Sequence, residues 1–154
     1  MGLDQYLYAK RFYSGTGVFA EDHLDVYNTV IDKIGCRKFV DKKFPSITID
    51  VQVGYWRKAN QIHNWFVENV QDGEDNCAEY YVPLEKLEEL DDLCARVLAL
   101  PSMADELLPT QGGFFFGSTE YDEYYLQDLR DTREIIARVK GLDDRFSFYY
   151  SSSW

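Results

Sequence analysis

Arg57, Lys58, Asn60, His63 and Trp65 fall within one short stretch, YWRKANQIHNWF, residues 55–66. Guanidinium and ammonium groups hold phosphate, aromatic and guanidinium faces stack on nucleobases, and an imidazole titrates near neutral pH. The stretch has the residue types for a nucleotide pocket with nearby tyrosines, or for a general base at His63. A phosphate loop is missing, since Gly54 alone precedes the stretch and GxxxxGK[ST] does not occur. The glycines of GGFFFGSTE, residues 112–120, suit a backbone that turns around Phe114, Phe115 and Phe116 better than a phosphate cradle. Catalysis has little support: HExxH and GxSxG are absent, and the acid pairs Asp91/Asp92 and Asp143/Asp144 are adjacent and so diverge. A nitrogen and sulfur metal site is not expected from two histidines and scattered cysteines, and a magnesium set of Glu120, Asp122, Glu123 and Asp50 is disfavoured. No catalytic residue, metal ligand or cofactor is assigned.

The element that must position these residues reads as a helix from Trp56 to Val70. Trp56, Ala59, Ile62, His63, Phe66, Val67 and Val70 share one side at 100° per residue, with Asn60 at its margin. His63 on that side is either a core histidine satisfied by a carbonyl or by Asn60, or a base at a cleft. Trp65 faces the opposite, charged side near Arg57 and Lys58. A large ring there must be covered by another element or wait for a partner, and it is a candidate anchor whose removal is expected to leave folding nearly intact.

Around this helix the pattern is mixed. LDQYLYAKRFY carries alternate tyrosines and ends in a Ser-Gly-Thr-Gly turn, which predicts a strand. AEDHLDVYNTVIDKIG, from Ala20 to Gly35, predicts a helix with Leu24, Tyr27, Ile31 and Ile34 at helical spacing. In SITIDVQVGY, Ile47, Ile49, Val51, Val53 and Tyr55 alternate with polar residues as a half-buried strand. A short strand at NCAEYYVP precedes a helix with Leu87, Leu90, Cys94 and Val97 inward. A connection from Pro101 to Pro109 leads to the Phe114–Phe116 segment, a short buried strand or tight loop. Thr119 and Asp122 resemble a capping box before a long helix with Tyr125, Leu129, Thr132, Ile136 and Val139 on one stripe. RFSFYYSSSW closes as a strand. Without regular βαβ alternation, the expectation is a single α+β domain over 1–154, a mainly antiparallel mixed sheet packed by about four helices.

At 154 residues and 45% hydrophobic content the chain is long enough to bury a core despite a net charge of −11. Residues 1–60 hold 9 Lys+Arg against 7 Asp+Glu, whereas residues 61–154 hold 7 against 20. Ten acids lie between Glu68 and Asp92, interrupted only by Lys86, and Glu85, Glu88, Glu89 and Asp92 are the candidate docking acids on the helix there. Such a field repels nucleic acid and attracts basic surfaces. The start lacks a basic segment followed by an apolar core, and Tyr6 stands where myristoylation wants Ser or Thr, so a soluble cytoplasmic protein without membrane contact is expected. Cys36, Cys77 and Cys94, widely spaced and odd in number, read as reduced and structural.

MGLDQYLYAKR, YWRKANQIHNWFVENVQDGEDNCAEYYV and LLPTQGGFFFGSTEYDEYYLQDL together resemble a family of small acidic proteins encoded by bacteriophages and prophages. The resemblance implies a phage context in the host bacterial cytosol and carries over no catalytic residue. With it, the leading expectation is a non-enzymatic protein that inhibits a bacterial antiviral defence system. Its acidic surface would imitate nucleic-acid charge on a basic host protein, with Trp65 or Trp154 as aromatic anchor. The alternative is a sponge for a small signalling nucleotide, built from Arg57, Lys58 and His63. A nucleotide hydrolase stands third.

Overall fold

The computed structural model describes residues 2–17 and 21–154. The strands are β1 (Asp4–Ser14), β2 (Ser46–Arg57), β3 (Tyr80–Val82) and β4 (Ser147–Ser153). The helices are α1 (Glu21–Lys33), α2 (Asn60–Asn69), α3 (Leu84–Ala99), α4 (Ala104–Leu107) and α5 (Glu123–Val139), with a 3-10 turn at Pro101–Met103. The strands form one antiparallel sheet in the order β2-β1-β4-β3, and the fold class is α+β. Five helices stand where about four were expected among the described residues; the extra one, α4, is a single turn inside the Pro101 to Pro109 connection.

Contacts divide the chain into two compact units, Met1–Ala9 with Gln52–Trp154, and Lys10–Val51, so the boundaries fall within β1 and β2. In the larger unit, Leu87, Leu90, Cys94 and Val97 of α3 and Tyr125, Leu129, Thr132, Ile136 and Val139 of α5 are buried, as their spacing predicts. They close on Leu7, Ala9, Val82, Phe148 and Tyr150 from the sheet, and Phe66 of α2 stacks on Tyr150 with ring centroids 3.8 Å apart. Burial drives the thiol of Cys94 up to about 12, with Asp91 adding to it, so this cysteine is an inert core residue.

The smaller unit has its own core of Tyr13, Tyr27 and Ile31, with Val26, Cys36, Val40, Ile47 and Ile49 against it. Gly15 is required there, because a Cβ would lie 2.7 Å from the Tyr27 ring. Arg11 pairs with Asp22 at 2.7 Å and Lys10 with Asp50 at 3.1 Å. Ala20, the first residue of the predicted helix, lies outside the described residues; α1 ends at Lys33, before Gly35 with its φ of 70°. Leu24 and Ile34, expected on the apolar stripe, are exposed.

Three local expectations are corrected. The alternation of β2 breaks at Gly54: Gly54 and Trp56 are buried, whereas Val51 and Tyr55 are exposed. A Cβ on Gly54 would lie 2.8 Å from Ile135 of α5 and 3.1 Å from Leu7, so the missing side chain lets the strand press onto the helix and changes which face is inward. The helix begins at Asn60, not Trp56, because Trp56 and Arg57 complete β2 and Lys58 turns the backbone with a φ of 60°. The cap of α5 is Asp122 itself, whose carboxylate accepts from the Tyr125 amide at 3.1 Å, and Thr119 is not the capping residue.

Candidate functional site: a mixed-charge groove and an acidic face

A groove of about 320 Å³ runs from the end of β2 to the first turns of α5. Arg57 and Lys58 line one part, Gly117 and Ser118 the floor loop, and Glu120, Asp122, Tyr124, Tyr125, Gln127 and Asp128 the rest. The loop that supplies Gly117 and Ser118 is held by Asn60. Its side-chain amide donates to the carbonyls of Phe116 (3.1 Å) and Ser118 (2.8 Å), and its oxygen accepts from the Gln111 amide at 2.9 Å. Asn60 is thus a buried clamp under the groove and not a ligand-facing residue. The glycine-bracketed segment is a loop, as one of its two expected forms; Phe116 is buried and Phe114 fully exposed.

Lys58, exposed at the groove, passes close to two glycines. A Cβ on Gly117, whose φ is 91°, would meet the Cβ of Lys58 at 3.1 Å, and a Cβ on Gly2 would meet its Cε at 3.2 Å. Two glycines therefore flank the lysine stem where side chains would crowd it, and Lys58 itself is a non-glycine residue in the left-handed region. Arg57 is more open, with Asp4 at 3.8 Å.

Asp128 is the unusual carboxylate. Burial pushes it up from 3.8 to about 6; a hydrogen bond from Gln61 at 3.0 Å opposes the shift, and the charges of Asp131 and Asp122 add to it. Its raised value works against the fold as pH rises: below about pH 4 the carboxyl is protonated in both folded and unfolded chain and nothing is lost, the loss accrues between about pH 4 and pH 6, and it is complete above that. At about 1.4 kcal/mol per pH unit, discounted for the part of the carboxylate that meets water, the loss is about 1–2 kcal/mol. Asp128→Asn keeps an acceptor for Gln61 and is expected to be more stable than the wild type by that amount at pH 7.5. The gain should vanish near pH 4, and urea denaturation at both pH values checks it; an equal difference at both would dismiss the linkage.

His63 is fully buried elsewhere, in a polar chain through the core. Gln5 donates to the carbonyl of Ala59 at 3.0 Å and accepts the Tyr150 hydroxyl proton at 2.9 Å. The Tyr150 oxygen lies 2.8 Å from His63 Nδ1, and His63 Nε2 lies 3.0 Å from the Asp75 carboxylate. Both ring nitrogens of His63 therefore have a polar partner inside the core, and the Tyr150 hydroxyl links the imidazole to Gln5. Asp75 also accepts from the Trp154 indole at 3.0 Å, and Phe116 sets its ring edge to face against both His63 and Trp154. His63 thus takes the core alternative, with Tyr150 and Asp75 as its partners in place of the expected carbonyl or Asn60.

Trp65 is 6% exposed and is corrected from an exposed anchor to a core residue. It lines a separate cleft with Leu107, Leu108 and Pro109, which cover the face that the charged neighbours had suggested was open. Arg57 and Lys58, expected beside it, lie on β2 and the turn after it. Glu85 borders another cleft beside Lys140 and Phe146. Glu88 pairs with Lys140 at 3.0 Å, Glu89 with Lys86 at 2.7 Å and Asp92 with Arg96 at 3.8 Å, so much of the charge on α3 is compensated within the chain. Trp154 remains 47% exposed.

Of the predicted residues the groove gathers Arg57 and Lys58 alone; Asn60 and His63 sit below it or behind it, and Trp65 and the α3 acids lie elsewhere. Sequence reading missed Asp128, Tyr124 and Gln127. Asp128 had a signal: an acid three residues after Tyr125 and four before Thr132, beside a stripe that is otherwise apolar. Among the described residues no three His, Cys, Asp or Glu side chains gather as a metal site, and no helix is long and apolar enough to cross a membrane. Comparison with protein-family models, with curated proteins and with solved structures finds no match.

Proposed function

We propose that this is a non-enzymatic binding protein that docks on the basic surface of a host protein and, in a phage-infected bacterium, inhibits an antiviral defence system from within the cytosol. The observation that carries the reading is Trp154, half exposed and tied through its indole to Asp75. Asp75 belongs to the segment from Glu68 to Glu85, which holds six acids and no Lys or Arg. Exposed ion pairs contribute about 0–1 kcal/mol each, so the acids give attraction and orientation while a tryptophan supplies the buried area that affinity needs. The docking face moves accordingly from α3 to this segment. Capture of a small nucleotide, the alternative, has in its favour that Arg57 and Lys58 share a groove with Tyr124, and against it the three carboxylates of the same groove.

Native mass spectrometry of tagged protein taken gently from phage-infected bacteria tests the reading. Two variants run beside the wild type: Trp154→Ala, and the triple change Asp72→Asn, Glu74→Gln, Glu79→Gln. A complex with a basic host protein is expected that weakens about tenfold or more in each variant and dissociates as salt rises. A complex retained equally by both variants would refute the docking face, and a retained nucleotide mass would favour the alternative.

A further inference from the structure

We propose that the groove between β2 and α5 binds a small zwitterion of the α-amino-acid class, its carboxylate on Arg57 and Lys58 and its ammonium group at Asp128. The lining carries both signs, two cations and three carboxylates, in one recess. A phosphate would gain from the cations and lose to the acids, whereas a ligand with one charge of each sign satisfies both parts. At about 320 Å³ the groove lies at the small end of ligand pockets, which run from about 300 to 1,000 Å³, so it fits one small metabolite and not a dinucleotide.

Each end has been prepared. The missing side chains of Gly2 and Gly117 leave room for the Lys58 stem to run along the groove. Beside it Arg57 offers a planar fork suited to a carboxylate. At the other end Gln61 holds Asp128 by one oxygen, and no described cation pairs with this half-buried acid. An ammonium group is the missing partner, and its arrival would offset the cost of the charged carboxylate. Tyr124, 83% exposed at the groove, gives the ligand side chain a ring to lie against. Neither Arg57 nor Asp128 belongs to the docking face around Trp154, so this inference stands or falls independently of it.

Isothermal titration of the full chain at pH 7.5 with the standard L-amino acids, and with AMP and GMP as separate arms, tests the assignment. At least one amino acid is expected to bind with a Kd below about 1 mM. Its deaminated and decarboxylated analogues should each bind at least about tenfold more weakly, and Arg57→Gln and Asp128→Asn should each do the same to the parent ligand. Thermal melts confirm that both variants fold. No binding by any amino acid at 10-fold that concentration overturns the proposal, as does tighter binding of a nucleotide, or binding that both variants leave unchanged.

Discussion

Trp65→Ala is expected to destabilise the fold by about 3–5 kcal/mol, the range for truncating a large aromatic side chain in a packed core. Trp65 belongs to the cluster with Phe66, Leu87, Leu108 and Tyr150, and its ring meets that of Phe66 at 5.2 Å, edge to face. Deleting it opens a cavity at the floor of the Leu107–Pro109 cleft, where α4 is a single turn with little rigidity of its own to collapse inward. Equilibrium urea denaturation measures the loss. A change under 1 kcal/mol would return Trp65 to the surface and restore it as an anchor. Trp154→Ala, by contrast, should move stability little and partner affinity strongly, so the two tryptophans separate folding from docking.

His63→Ala is expected to cost about 3–5 kcal/mol, because it both empties a buried site and takes a hydrogen-bond partner from Tyr150 and from Asp75. Tyr150 keeps its bond to Gln5 but loses the imidazole on its oxygen, and Asp75 is left with the Trp154 indole. Tyr150→Phe removes the hydroxyl that links Gln5 to His63 and should cost less, about 1–3 kcal/mol, since the ring stack on Phe66 survives. The double variant tells the two sites apart: a coupling of at least about 0.5 kcal/mol is expected for directly bonded groups, and strict additivity would mean that the chain does not act as a unit.

Much of the architecture was legible because its signals are local. The stripes of α3 and α5 repeat at helical spacing with one polar and one apolar side, and those residues are the buried ones. Where reading failed, the deciding atom was far away in sequence. The start of α2 was misplaced because Trp56 looks apolar on either period, and what settles it is its indole, which donates to Thr132 at 2.8 Å from β2. Trp65 looked exposed because a helical wheel reports one partner surface. Seven of the ten residues of α2 are buried, since that helix is covered on more than one side. Asn60 and His63 read as candidate binding residues, with a carbonyl or Asn60 as the core partner of His63; the partners present, Phe116 and Ser118 for Asn60 and Tyr150 and Asp75 for His63, lie from 12 to 87 positions away and no spacing rule reaches them. The groove was half visible for the same reason, as its cations are adjacent in sequence and its acids, Glu120 and Asp122 just before α5 and Asp128 within it, come from a distant part of the chain.

The strand order carries a consequence for how the chain is made. β4 lies between β1 and β3, so β3 has no neighbour in the sheet until the last strand arrives. During synthesis β1 and β2 can pair early, since the Lys58 amide already reaches the Leu3 carbonyl, but Tyr150 must wait to find Gln5, 145 positions behind it. Until Ser147–Ser153 emerges from the ribosome, β1 shows an open edge and α3 and α5 lack much of the sheet they pack on. A nascent chain in that interval is the species most open to proteases and to chaperones, and its exposure ends when the final strand slots in.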